Sequence, residues 1–102
     1  MKAVAIVLCA LSLAGCAAQL RVDGALVVGR RQDVSIADVN GAIAAMRADL
    51  PEVRSQLLRQ IYVVHKDEIV LQYAKDKHDP YGTEHVVRRA HGRWHYTWRI
   101  VI

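Results

Sequence analysis

Apolar side chains recur along this chain with two different periods, and the period changes near residue 60. Between Ser35 and Leu50 they fall three and four apart, so Ile36, Val39, Ile43, Met46 and Leu50 share one face of a helix while Arg47 and Asp49 lie outside the stripe. Ser35 followed by Asp38 supplies an N-cap and a weak capping box at its start. Pro51 interrupts the stripe, yet proline is tolerated in the first turn of a helix, and Asp49 with Glu52 offers a second capping pair. Val53, Leu57 and Leu58 carry an apolar face on to Arg59. The pattern predicts two short helices, or one kinked helix, over 36–59.

Beyond Gln60 the chain turns to β-branched and aromatic residues. Residues 61–64 and 69–73 read as two strands joined through His65-Lys66-Asp67-Glu68, a turn without glycine that leaves the register open. A two- or four-residue connection pairs Val64 with Ile69. A three-residue one pairs His65 with Ile69 and gathers Ile61, Val63, Ile69, Leu71 and Tyr73 on one side. Apolar residues occupy both parities of the first strand, which requires a central strand or a second covered face.

Asp79-Pro80-Tyr81-Gly82 suits a type I turn and leads into a second hairpin turning at His91-Gly92. That register pairs Arg89 with Trp94, Val87 with Tyr96 and His85 with Trp98. Along the last strand Trp94, Tyr96, Trp98 and Ile100 would point one way and Arg93, His95, Thr97 and Arg99 the other, one core face and one wet face. A further strand falls within 20–28. The expected fold is α+β: an antiparallel sheet of four to five strands, with two C-terminal hairpins and one kinked or two short helices packed on one face.

Ahead of these elements stand Lys2 and an apolar run over 3–13 broken only by Ser12, the proportions of an export signal. As a helix this run would span about 16 Å, roughly half the hydrocarbon thickness of a bilayer. Extending it to Ala18 leaves an uncleaved anchor as the alternative. Leu13-Ala14-Gly15-Cys16 follows, and it resembles the lipobox of bacterial lipoproteins. The resemblance covers residues 1–16. It implies a signal peptide over 1–15 that is cut before Cys16, a diacylglyceryl group on the Cys16 thiol, and an acylated (palmitate-type) new amino terminus. Residues 16–19 then form the lipidated cysteine and a tether, Ala17-Ala18-Gln19, reaching about 10 Å, and 20–102 form a single domain held near the bilayer. Ala17 after the cysteine, where many Gram-negative lipoproteins retained in the inner membrane have aspartate, implies the outer membrane, periplasmic side, in such a host. In a Gram-positive host the same motif implies the outside of the plasma membrane.

Charge changes this picture little. The whole chain carries 14 Lys and Arg against 10 Asp and Glu, and removing 1–15 takes only Lys2, leaving 13 against 10 and a formal charge of +3. The pI near 9.4 comes from dispersed basic residues on an exported chain, so nucleic acid is not an expected partner. The membrane, through the anchor, and an envelope protein are. Cys9 would leave with the signal and Cys16 would become a thioether, so no disulfide staples the domain.

The five histidines (65, 78, 85, 91 and 95) form no ligand set of known spacing, so no metal is expected. Ser35 and Ser55 are explained as a cap and a helix-face residue, and Asp67-Glu68 and Asp76/Asp79 sit in turns, which leaves no catalytic constellation and no cofactor motif. The candidate binding residues are Arg89, Trp94, Tyr96 and Trp98, an aromatic and basic group that would be core packing, a ligand platform or the centre of a protein interface. The sequence points to a non-enzymatic module that binds, inhibits or assembles with another protein. The alternative is a glycan or small-ligand module using the aromatic and basic face of the last hairpin.

Overall fold

Asp23 and Gly24 both adopt positive φ, 52° and 79°, the geometry that closes a two-residue hairpin. They join β1 (Arg21–Val22) to β2 (Ala25–Gly29) in a computed structural model that describes residues 20–101. The expected signal sequence, Cys16 and the expected tether lie outside the described residues. A single 3-10 turn at Arg31–Asp33 leads to α1 (Ile36–Asp49), and a second 3-10 turn at Pro51–Ser55 leads to β3 (Leu57–His65). β4 (Glu68–Ala74), β5 (Thr83–Ala90) and β6 (Arg93–Val101) follow as a meander.

The six strands lie in one sheet in chain order, β1 to β6. All neighbours are antiparallel except β2 and β3, which pair in parallel with Leu26 opposite Gln60 and Val28 opposite Tyr62. Parallel neighbours need a crossover, and α1 is it. The α+β class holds, but the sheet is mixed and has six strands rather than four or five antiparallel ones.

Helix α1 starts where the sequence places it. The Ser35 hydroxyl accepts from the Asp38 N–H at 3.1 Å and the Asp38 carboxylate accepts from the Ser35 N–H at 2.9 Å, a reciprocal capping box. Its end does not match the expected reach to Arg59. Pro51 opens only a 3-10 turn, Gln56 is extended, and Leu57 and Leu58 pair with Ala74 and Tyr73 of β4. Strand pairing wins there because it buries Leu58 against the core, whereas a continued helix would leave the β4 edge unpaired. The buried stripe of α1 is Val39, Ala42, Ile43 and Met46. Ile36, in the first turn, is 55% exposed.

The core lies between α1 and one face of the sheet, filled by Val27, Ile43, Met46, Val53, Ile61, Val63, Ile69, Leu71, Tyr73 and Val87. Bulges decide which side chains reach it. The first hairpin turns on Lys66-Asp67 with His65 opposite Glu68, and the register then slips so that Val63 faces Ile69. This is neither of the registers expected, yet Ile61, Val63, Ile69, Leu71 and Tyr73 do gather on the helix side, because the bulge at Val64 restores the parity that the two-residue turn would have lost. A bulge at Arg59 does the same for Leu58. The Arg59 guanidinium reaches the carbonyls of Asp76 and Lys77 at 3.3 and 3.4 Å, tying the 75–82 loop to β3.

Candidate sheet-face interface

The four candidate residues of the last hairpin separate into two groups. Arg89 pairs with Trp94 and Val87 with Tyr96, as the sequence register has it. The register then shifts: Val86 faces Trp98 and His85 faces Arg99 in place of the expected pairing of His85 with Trp98. The extra residue is Thr97, whose hydroxyl donates to the Val86 carbonyl at 2.8 Å and pins the bulge. Trp94 and Tyr96 therefore face α1, whereas Trp98 passes to the other face.

On the helix side, Arg89 acts as a clip. Its guanidinium donates to Asp38 Oδ1 at 2.7 Å, to Asp67 Oδ1 at 3.1 Å and to the Lys66 carbonyl, and it stacks 4.8 Å from the centre of the Trp94 ring. These contacts join the start of α1, the β3–β4 turn and β6. The paired carboxylates push the Arg89 pKa up, and the Ser35 N–H, with the Ser35 hydroxyl and Arg89 adding to it, holds Asp38 below its ordinary value. Trp94 is half-buried and lies over Gly41, where a Cβ would come within 3.0 Å of the indole. Tyr96 presents its hydroxyl 3.4 Å from Nδ1 of buried His85, whose ring packs edge-on between Tyr73 and Tyr96 with centroids 5.9 and 5.5 Å away. Arg89, Trp94 and Tyr96 thus help hold helix to sheet.

The opposite face has no covering element among the described residues, and Trp98 belongs to it. The registers align one side chain from each of five strands into a cross-sheet row: Val28, Tyr62, Val70, Val86 and Trp98. At the usual strand spacing the row is about 19 Å long. Tyr62, next to one end, and Trp98, at the other, are 49% and 52% exposed. Polar Gln60, Gln72 and Glu84, with Leu26 beside Gln60, run along one flank, and His65, Glu68, Arg88 and His95 run along the other. Arg88 bonds Glu68 at 2.7 Å and lies 4.9 Å from the centre of the Trp98 ring, which fixes the indole in place. Between the row and its polar flank, Gln60, Tyr62, Val64, Val70, Gln72 and Glu84 line a concavity of about 330 Å³.

No family model, curated protein or solved structure matches this chain.

Among the described residues no three metal-ligating side chains converge, and the groups around the concavity are amides, a phenol, one carboxylate and aliphatic side chains. Tyr62 is the residue that sequence reasoning missed. Its signal was the two-sided apolarity of β3: that strand is central, and its second apolar parity supplies the open face.

Proposed function

We propose that this chain is a small lipid-anchored envelope protein that works by binding another protein, with Cys16 as its anchor and the open face of the sheet as its docking surface. The observation that carries the docking assignment is the Val28–Tyr62–Val70–Val86–Trp98 row. A small domain gains nothing in stability from half-exposing a tyrosine and a tryptophan, and aromatic anchors ringed by polar groups are the usual centre of a protein interface. On the anchor side, no helix among the described residues is long and apolar enough to cross a membrane. In this reading the acyl chains at Cys16 make the attachment, two or more of which give stable binding where one does not. The destination in a Gram-negative host is the periplasmic side of the outer membrane.

Two experiments test the reading. Fractionation and intact mass of wild type and Cys16→Ala should show a cleaved, membrane-bound wild type carrying the diacylglyceryl group and an acylated amino terminus, and a variant that is uncleaved and unlipidated; equal membrane binding and equal size for both would refute the anchor. A photo-crosslinking residue at 62 should give a discrete adduct in intact cells while the same residue at exposed Ala44 of α1 does not, and equal yields would refute the docking face.

A second reading, a glycan or small-ligand module, draws support from one feature. Gln60, Gln72 and Glu84 offer hydrogen-bonding partners for hydroxyls beside the Tyr62 ring, across β3–β5 and on the last hairpin only through Glu84. Trp98 fluorescence that stays unchanged on titration with cell-wall fragments would count against it.

A further inference from the structure

We infer that the partner of the open face is a second copy of this chain, docked sheet to sheet about a two-fold axis that runs along the Val28–Trp98 row. This rests on the docking reading above and names its partner. The argument begins with β5, where Glu84 and Arg88 stand two residues either side of Val86 on the open face. Rotation about an axis along the row lays β5 over β5 with its direction reversed, so each Glu84 meets the Arg88 of the other copy. The same rotation exchanges Glu68 with Gln72 on β4 and Gln60 with His65 on β3, so every carboxylate meets a cation or an amide. A self-complementary patch of this kind is what a two-fold interface requires.

The other face-to-face arrangement fails the same test. An axis parallel to the strands through β4 would set Glu68 against Glu68, lay Arg88 over His65 and Glu84 over Gln60, and so form a like-charge contact and no new ion pair. Glu84 has no ion-pair partner among the described residues, and Arg88, although bonded to Glu68 through Nε, has four further N–H donors to offer. The row supplies the apolar centre: half-exposed Tyr62 and Trp98, with Val70 between them, each stack on their own copy over the already buried Val86, in the aligned manner of two packed sheets about 10 Å apart.

Area sets the expected strength. Five strands by three rows cover roughly 24 by 20 Å per copy at ordinary strand spacing and rise, or about 1,000 Å² over both copies, which is the low end of specific interfaces. The dimer should therefore form and dissociate with concentration rather than be permanent. Confinement to one membrane surface would raise the local concentration and favour it.

The test is charge complementation between two single variants of the full chain, measured by sedimentation equilibrium in a density-matched detergent. Wild type should show a monomer–dimer equilibrium. Glu84→Arg alone opposes two arginines at each contact and Arg88→Glu alone opposes two glutamates, so each should raise the dissociation constant at least tenfold. An equimolar mixture restores both opposite-charge contacts and should recover dimer to within about threefold of wild type. Circular dichroism on each variant verifies that it is folded, and a Tyr62→Ala chain, which keeps every charge, should also be monomeric. A wild type that stays monomeric up to about 1 mM, or a mixture no more dimeric than its components, overturns the inference. The docking reading fails separately, by equal crosslink yields from residues 62 and 44 in cells. A 62-specific adduct to a different protein, with a monomeric wild type, would overturn the self-association alone.

Discussion

Replacing Arg89 should cost more than its half-exposed surroundings suggest, because one guanidinium holds three separate parts of the fold. It contacts Asp38 at 2.7 Å with side-chain exposures of 23% and 27%, and Asp67 at 3.1 Å with 23% and 41%. Solvent screening puts a fully exposed pair below about 1 kcal/mol, and charge-assisted bonds sheltered from water reach about 1.5–3. On that scale the Asp38 contact is worth about 1 and the Asp67 contact about 0.5, with about 0.5–1 more for the stack on Trp94. Arg89→Ala should therefore lose about 2–2.5 kcal/mol in urea unfolding and lower Tm by about 8–20 °C for a domain of this size. Arg89→Lys keeps the charge but loses the fork, and should fall between the two. A double-mutant cycle with Asp38→Asn should give a coupling of about 1 kcal/mol at pH 7. Asp38 has its folded pKa held below 3.8, first by the Ser35 N–H and then, among further contacts, by Arg89. A depressed carboxylate pKa stabilises the fold above the unfolded value and loses that contribution as pH falls through the folded one. The coupling should persist at pH 5 and fade below pH 3.8. A loss under about 0.5 kcal/mol for Arg89→Ala, or strict additivity in the cycle, would refute the clip.

Three further outcomes follow from the packing of α1 and β6. Gly41→Val drives a branched side chain into the Trp94 indole, which already stands 3.0 Å from an added Cβ, and should cost about 1–3 kcal/mol with a shift in tryptophan emission; unchanged stability would mean that helix and strand are not in close contact there. Asp49→Ala removes the carboxylate that accepts the Tyr96 N–H at 3.1 Å on the outermost strand, so it should cost under about 1 kcal/mol yet speed aggregation on heating, read by light scattering. Deleting Thr97 removes the bulge residue and places Trp98 directly after Tyr96, which alternation still turns to the open face. In a Trp94→Phe background, iodide should therefore quench the tryptophan as well as before, and shielding would show that the bulge does not set the face.

Much of the fold can be read in the sequence, and the parts that cannot have a common cause. The N-cap at Ser35, both late hairpins and the Arg89–Trp94 and Val87–Tyr96 pairs follow from local chemistry, in which capping and turn residues act within a few positions. The crossover that makes β2 and β3 parallel does not, because Leu57 and Leu58 suit a helix face as well as a strand and only their pairing with Ala74 and Tyr73 decides. The short β1 strand has two residues, too few for any period to show. Helix α1 buries Ala42 in place of Ile36 because the sheet, not the most apolar stripe, fixes the contact face.

The candidate site was illegible for a sharper reason. Alternation assigns faces only while the register is unbroken, and each bulge exchanges inside for outside beyond it. Thr97 is one residue, yet it moves Trp98 from the helix side, where Trp94 and Tyr96 are, to the row that contains Tyr62 and Val70. A run of aromatics at alternate positions thus looks like one platform in the sequence and serves two faces in the fold. The bulge at Val64 works the other way, rescuing the core parity of Val63 and Ile69 and leaving Tyr62 outward opposite Val70. Had neither bulge formed, Trp98 would lie under α1, the row would end at Val86, and the open face would lose the indole that Arg88 holds in place. The sidedness of two residues, rather than their identity, decides which aromatic rings this face exposes.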